Sequence, residues 1–238
     1  MTTSNRIWCV VPAAGVGKRF GSALPKQYLQ LNGKTVVENT LDRLLTLAEI
    51  VQVVVVISAE DRHFKGLPAA KNPRIKTVVG GDERCHSVQN GLRYLSGIGD
   101  ERDWVLVHDV ARPCVRADDV RKLVQQVDQF DAVGGILANP VRDTMKRANR
   151  INQIEATVDR NQLWHALTPQ LFRLGTLRSA IDSALTDGVL VTDESAAMER
   201  LGHQPLLVEG HYDNIKITHP QDLTLTELYI QQQLIQQS

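Results

Sequence analysis

Several short clusters of small and charged residues carry the chemistry open to this sequence. The first, Pro12-Ala13-Ala14-Gly15-Val16-Gly17-Lys18-Arg19-Phe20-Gly21, runs on to Leu24-Pro25-Lys26-Gln27. Small residues let a backbone approach a ligand closely, and its amides can cradle phosphate oxygens. Cations interleaved with glycines suit a triphosphate, whose charge side chains must offset. A Gly-x-Gly also marks dinucleotide-binding turns, but three features disfavour that reading: Pro12 and two alanines before the glycines, Lys18 and Arg19 where a helix should begin, and Pro25-Lys26 just beyond. The second cluster is Gly80-Gly81-Asp82-Glu83-Arg84-Cys85-His86-Ser87. Its glycines would admit a flat base or ribose, and Asp82 is a candidate N-cap for a helix from Glu83. Glu83 itself reads as part of a capped turn. The third is His108-Asp109-Val110-Ala111-Arg112-Pro113, in which Asp109 could hold a metal ion or substrate hydroxyls and His108 reads as structural. No Ser/His/Asp or Cys/His arrangement for nucleophilic catalysis is found.

These clusters need elements to position them. Short β-branched runs at 7–11, 51–57, 75–79, 104–107, 132–137 and 206–209 alternate with helical patterns at 35–47, 83–95, 117–130 and 173–185. A further helix follows Asp193 and a last one begins at Pro220. That alternation predicts α/β architecture with a mostly parallel sheet covered on both faces. The clusters then fall at the carboxyl ends of strands, where open α/β sheets bind ligands. One segment breaks the rhythm. Residues 141–160 alternate polar and apolar around Asn149-Arg150-Ile151-Asn152, and predict a hairpin bearing Arg142, Lys146, Arg147, Arg150 and Arg160. A lone hairpin is marginal in water, so it must pack on something.

The chain has 238 residues, with 27 Lys plus Arg against 27 Asp plus Glu, 42% hydrophobic and 23% charged. It is long enough to bury a core without disulfide or metal staples, and it reads as one domain spanning 1–238. The balanced charge argues against a nucleic-acid or anionic-membrane partner, both of which call for a basic excess. Cys9, Cys85 and Cys114 are odd in number and far apart, which suits a reducing compartment. The first residues lack a signal-peptide pattern, and no apolar run approaches the roughly 20 residues of a membrane span. The expected location is the cytoplasm.

The clusters, with Pro25-Lys26-Gln27-Tyr28, Pro140-Val141-Arg142-Asp143-Thr144-Met145-Lys146, Thr157-Val158-Asp159-Arg160, Leu163-Trp164-x-Ala166-x-Thr168-Pro169-Gln170, Thr192-Asp193-Glu194 and Asn214-Ile215-Lys216, form an ordered set almost end to end. That set resembles the 2-C-methyl-D-erythritol 4-phosphate cytidylyltransferase family of the non-mevalonate isoprenoid pathway. The resemblance implies a three-layer, Rossmann-like nucleotidyltransferase fold with a mixed, mostly parallel sheet and a projecting hairpin arm. It implies a homodimer formed through that arm; the arginine-bearing hairpin, which cannot fold alone, predicts that Arg160 and Thr144 serve the partner's CTP. The implied reaction joins CTP and methylerythritol phosphate, with magnesium held mainly by the CTP phosphates and no metal-ligating residue assigned.

By the same resemblance Arg19 and Lys26 stabilise the α-phosphate, while Arg160 and Lys216, helped by Thr144 and Thr192, clamp the attacking phosphate. Asp109, Arg112 and Thr168 would bind the polyol hydroxyls, and Ala13, Ala14, Gly15, Gly81, Asp82 and Ser87 the cytosine and ribose. Thr192 or Asp193 also reads as a helix N-cap. Val110 stands where relatives usually carry alanine. The nucleotide motifs equally admit another polyol phosphate, such as ribitol 5-phosphate, as acceptor.

Overall fold

A computed structural model describes residues 6–15 and 24–236. Its centre is a seven-stranded sheet made of β1 (Ile7–Pro12), β4 (Ile50–Ile57), β5 (Ile75–Val79), β6 (Trp104–Val107), β7 (Gly134–Pro140), β10 (Trp164–Arg173) and β11 (Leu206–Glu209). The spatial order is β11-β7-β10-β6-β1-β4-β5. β1 pairs parallel with both β4 and β6, β4 with β5, and β7 with β11. β10 alone runs against its neighbours β6 and β7.

The period of two along the strands divides the core into two layers. Cys9, Val11, Val53 and Val55 face α1 (Val36–Leu45) and α3 (Ala117–Gln129), where Leu41, Leu44, Leu123 and Val127 fill the space. Trp8, Val10, Val54 and Val56 face α2 (Arg84–Ser96), α4 (Leu174–Thr186) and α5 (Glu194–Arg200). Strands buried on both sides carry the near-continuous apolar runs seen in the sequence. A last helix, α6 (Gln221–Gln236), packs Ile230 against Ala111, Cys114 and Ile217. The three cysteines are free and buried. Burial raises each thiol, that of Cys114 to about 12, so none is poised as a nucleophile.

Three departures from the sequence expectations have local causes. The run expected at 132–137 begins at Gly134 and extends to Pro140, because Ala132 still closes α3 through its bond to the Val127 carbonyl and Asp131 has φ 46°. A short hairpin, β2 (Gln30–Leu31) and β3 (Lys34–Thr35), was not expected. Asn32 (φ 52°) and Gly33 (φ 74°) supply its tight turn. β10 was also unexpected. It contains Pro169, which is tolerated because the register with β7 shifts between Ala166 and Gln170.

The hairpin expected at 141–160 forms as β8 (Met145–Ala148) and β9 (Ile154–Val158), a sheet of its own. Asn149 orders the turn by accepting from the Ile151 and Gln153 amides through its side chain. At the base, the Arg142 guanidinium lies 3.4 Å over the Tyr212 ring. Met145, Ile151 and Ile154 are exposed along it.

Candidate active site

The strand order grows outward from β1, with β4 and β5 to one side and β6 to the other. This reversal opens a crevice at the carboxyl ends. A cleft of about 440 Å³ occupies it, walled by Pro12–Gly15 after β1, Gly81–Arg84 after β5, Asp109–Ala111 after β6, and Lys26, Lys216 and Thr218. The expected residues Ala13, Ala14, Gly15, Lys26, Gly81, Asp82, Ser87, Asp109 and Lys216 therefore meet in one place. Arg19 lies outside the described residues, as do Val16, Gly17 and Lys18.

The floor of small residues is held open from beneath. Gln27 is buried, and its Nε2 donates to the carbonyls of Ala13 (2.8 Å) and Gly15 (3.1 Å). Ser87 Oγ accepts from the Gly81 amide at 3.3 Å. A Cβ on Gly80 would fall 2.6 Å from Ala14 Cβ and 2.7 Å from Ser87 Oγ, so the first two clusters touch only because position 80 is glycine. Asp82 is not an N-cap. Glu83 is extended (φ −116°, ψ 163°) and takes the cap position without a side-chain bond, so α2 starts at Arg84. Asp82 and Glu83 are both left on the cleft wall.

The opposite wall centres on Asp109, 6% exposed. Its Oδ1 accepts from Arg84 Nε at 2.9 Å, while Oδ2 faces Lys216 Nζ at 2.7 Å and Arg112 Nε at 3.6 Å. Burial alone would raise this carboxyl, but Arg84, Lys216 and Arg112 outweigh it and hold it well below the ordinary carboxylate range. Both oxygens are thus engaged by cations in this structure. Arg84 in turn donates from Nη1 and Nη2 to Glu194 at 2.7 and 3.1 Å. Burial pulls against the Arg84 charge, yet Glu194 and Asp109 leave its pKa raised.

Arg112 and Thr168 do not line the cleft; they brace Asp109 from below. Arg112 is buried with Nη1 on the Asn214 carbonyl at 2.7 Å. Thr168 Oγ1 accepts from the Asp109 amide at 3.0 Å and bonds His108 Nδ1 at 3.0 Å. His108 Nε2 meets the Arg112 carbonyl at 3.0 Å, and burial lowers the imidazole to about 4, as befits a structural histidine. Val110, the departure noted above, buries its side chain in the core and accepts from Thr40 Oγ1 through its carbonyl.

The remaining expected residues lie elsewhere on the chain. Arg160 and Thr144 are exposed near the base of the hairpin, where Arg160 Nη1 donates to the Arg142 carbonyl. Thr192 is exposed, and Asp193 is the residue that caps α5, accepting from the Ala196 amide. Lys26 and Lys216 come together because Lys26 Nζ donates to the Ile217 carbonyl at 2.8 Å and the Ile217 amide bonds Ala111. Sequence reasoning missed the parts played by Gln27, Arg84 and Glu194. Each stands inside a quoted motif, but only the fold shows what its side chain reaches.

The family model described as IspD, 2-C-methyl-D-erythritol 4-phosphate cytidylyltransferase, matches residues 7–232. The chain belongs to this family. A Vibrio vulnificus relative bearing the same name is 52% identical over 221 residues, 93% of each chain. One from Photobacterium profundum is 48% identical over 233 residues, 96% of this chain and 98% of its own. Among solved structures, the Francisella tularensis 2-C-methyl-D-erythritol 4-phosphate cytidylyltransferase superposes with a TM-score of 0.82 at 35% identity, over 94% of this chain and 99% of that one. Family membership extends along the sheet, the cleft and the hairpin alike.

Proposed function

We propose that this protein transfers the cytidylyl group of CTP to 2-C-methyl-D-erythritol 4-phosphate, releasing pyrophosphate. The observation that carries the proposal is the cleft itself. A small-residue floor, two lysines from opposite ends of the chain and an ionised Asp109 meet at the sheet's switch point.

The substrate phosphate attacks the α-phosphorus of CTP in line. A phosphate monoester has its second pKa near 6, so the attacking oxygen is largely ionised at neutral pH and no general base is required. The difficulty is bringing two polyanions together, and catalysis reduces to positioning and charge stabilisation. In our reading Lys26, with Arg19, takes up the charge growing on the α-phosphate. Lys216 leaves Asp109 for the attacking phosphate, and Asp109 accepts polyol hydroxyls in its place. Ala13, Ala14, Gly15, Gly81, Asp82 and Ser87 take the cytosine and ribose. Arg112 and Thr168 act by holding Asp109, and Thr192 is kept as a candidate phosphate donor.

The described residues contain no cluster of three His, Cys, Asp or Glu suited to a metal ion. We assign magnesium to the nucleotide's phosphates, where it would supply charge neutralisation, and no step is routed through it.

We further infer a homodimer in which the arm at 141–160 projects from a single 1–238 domain and brings Arg160 and Thr144 to the partner's cleft. Three exposed apolar residues on a hairpin outside the main sheet support this reading. No helix among the described residues is long and apolar enough to cross a membrane. Three free, buried cysteines suit a reducing compartment, which supports the reading of a cytoplasmic location.

Pyrophosphate release is measured with CTP, magnesium and methylerythritol phosphate, and in parallel with ribitol 5-phosphate. Turnover should favour methylerythritol phosphate, and a preference for ribitol phosphate would overturn the substrate. For the composite site, Arg160→Ala and Lys26→Ala subunits are mixed. About a quarter of wild-type activity is expected from random pairing, and none on confirmed mixed dimers would refute the exchange.

A further inference from the structure

Glu194 is 1% exposed and does not line the cleft, yet it is tied to it. Asp193, the α5 cap, fixes its place. Its Oδ1 accepts from the Ala196 amide, and its Oδ2 accepts from Gln170 Nε2 on β10 and from Ser195 Oγ. Gln170 in turn accepts from the Ser195 amide at 2.9 Å, so the start of α5 is bolted to the sheet. From this fixed point the Glu194 carboxylate grips both terminal nitrogens of Arg84. A bidentate carboxylate–guanidinium pair sets the plane of the guanidinium as well as its position. The one remaining nitrogen, Nε, is thereby aimed at Asp109 Oδ1.

A buried ion pair seldom stabilises a fold more than a packed apolar pair would. The use of this one lies in its third edge. Asp109 is steadied at Oδ1 by Arg84 and at Oδ2 by Lys216. If Lys216 departs for the substrate phosphate, only Arg84 still fixes the cleft side of the carboxylate, because Arg112 Nε stands off at 3.6 Å.

We propose that Glu194 is a positioning residue for the polyol subsite: by clamping Arg84 it keeps the Asp109 carboxylate oriented, with Oδ2 presented to substrate hydroxyls, after Lys216 has moved away. This inference rests on the reading that Asp109 accepts those hydroxyls.

Glu194→Gln keeps the shape but turns an amide donor toward the guanidinium, so the bidentate grip is lost. A charge-assisted hydrogen bond at this strength predicts a rise of about tenfold or more in the KM for methylerythritol phosphate. The KM for CTP should stay within about threefold, since the floor of the nucleotide half is held by Gln27 and Ser87. Glu194→Asp retains the charge and should recover most of the loss. A second pair keeps the test alive should Glu194→Gln not fold: Arg84→Met alone and Arg84→Met with Glu194→Met should show the same selective rise, and a further rise on adding Glu194→Met would mean that Glu194 does not act through Arg84 and would overturn the proposal.

An unchanged polyol KM in a folded Glu194→Gln protein overturns the proposal. So does an equal rise in both KM values, which would mark Glu194 as a general scaffold residue. Asp109→Asn separates the two levels. If it leaves the polyol KM unaltered, the underlying role of Asp109 fails. If it raises that KM while Glu194→Gln does not, the inference about Glu194 fails alone.

Discussion

The imidazole of His108 lies completely buried beneath the cleft, between the Arg112 carbonyl and the Thr168 hydroxyl. Burial lowers its pKa from 6.5 to about 4. The fold therefore favours the neutral ring, whereas the unfolded chain takes up the proton as soon as pH drops below about 6.5. In that window the unfolded state binds more protons, so stability rises with pH and drains as pH falls toward the folded value. Each pH unit is worth about 1.4 kcal/mol, and the two-unit span from 6.5 to 4.5 costs about 2 kcal/mol after rounding at its ends.

The comparison that isolates this ring is wild type against His108→Gln, a neutral side chain able to donate to the same carbonyl. Urea unfolding at steps between pH 7 and 4.5 measures both chains. The variant should be the less stable at pH 7, yet its stability should fall by about 2 kcal/mol less than the wild type's across the window. Parallel stability–pH curves for the two proteins would refute the assignment of a buried, neutral His108.

Lys26→Ala should lower kcat by on the order of 10²–10³ without a matching loss of thermal stability, the range for a donor acting on the transition state. Steady-state kinetics within threefold of wild type would remove Lys26 from the mechanism. Gly80→Ala would drive a methyl group to 2.6 Å from Ala14 Cβ, so the KM for CTP should rise severalfold while that for the polyol phosphate moves little. Gly91→Ala instead meets Val10 Cγ1 at 2.7 Å inside the core. Calorimetry should show a destabilisation of about 1–3 kcal/mol with both KM values preserved. Ile154→Asp on the exposed hairpin should lower the molar mass seen by light scattering and make the melting temperature independent of protein concentration, if the arm is where the subunits meet.

Much of the architecture was legible in local pattern. Apolar runs such as Val53–Val56 (Val-Val-Val-Val) read as strands covered on both faces, and the helical pattern from Thr35 becomes α1, which the structure opens with a capping box between Thr35 and Glu38. The hairpin at 141–160 was legible too, from its alternation and its asparagines. β10 was not, because Pro169 and a polar first half hide its period, and its pairing with β6 and β7 is set by residues distant in sequence. The cap of α2 was misplaced by one residue, since the choice between Asp82 and Glu83 depends on where Arg84 is drawn.

For the site, the sequence alone determined the inventory and its family: which small residues, cations and carboxylates are present, and in what order. Residue type and order are local properties, and an ordered set of motifs survives without knowledge of any contact. Only the tertiary structure decided how those residues share the work. Arg112 and Thr168, expected at the polyol, lie buried beneath Asp109, bonded to the Asn214 carbonyl and the Asp109 amide, whereas Arg84 and Glu194, given no role, form the chain of charges that holds it. Charges within 3 Å in a buried site settle one another's state and direction, and partners 25 and 110 residues apart meet only when the sheet brings three strand ends and a distant helix together.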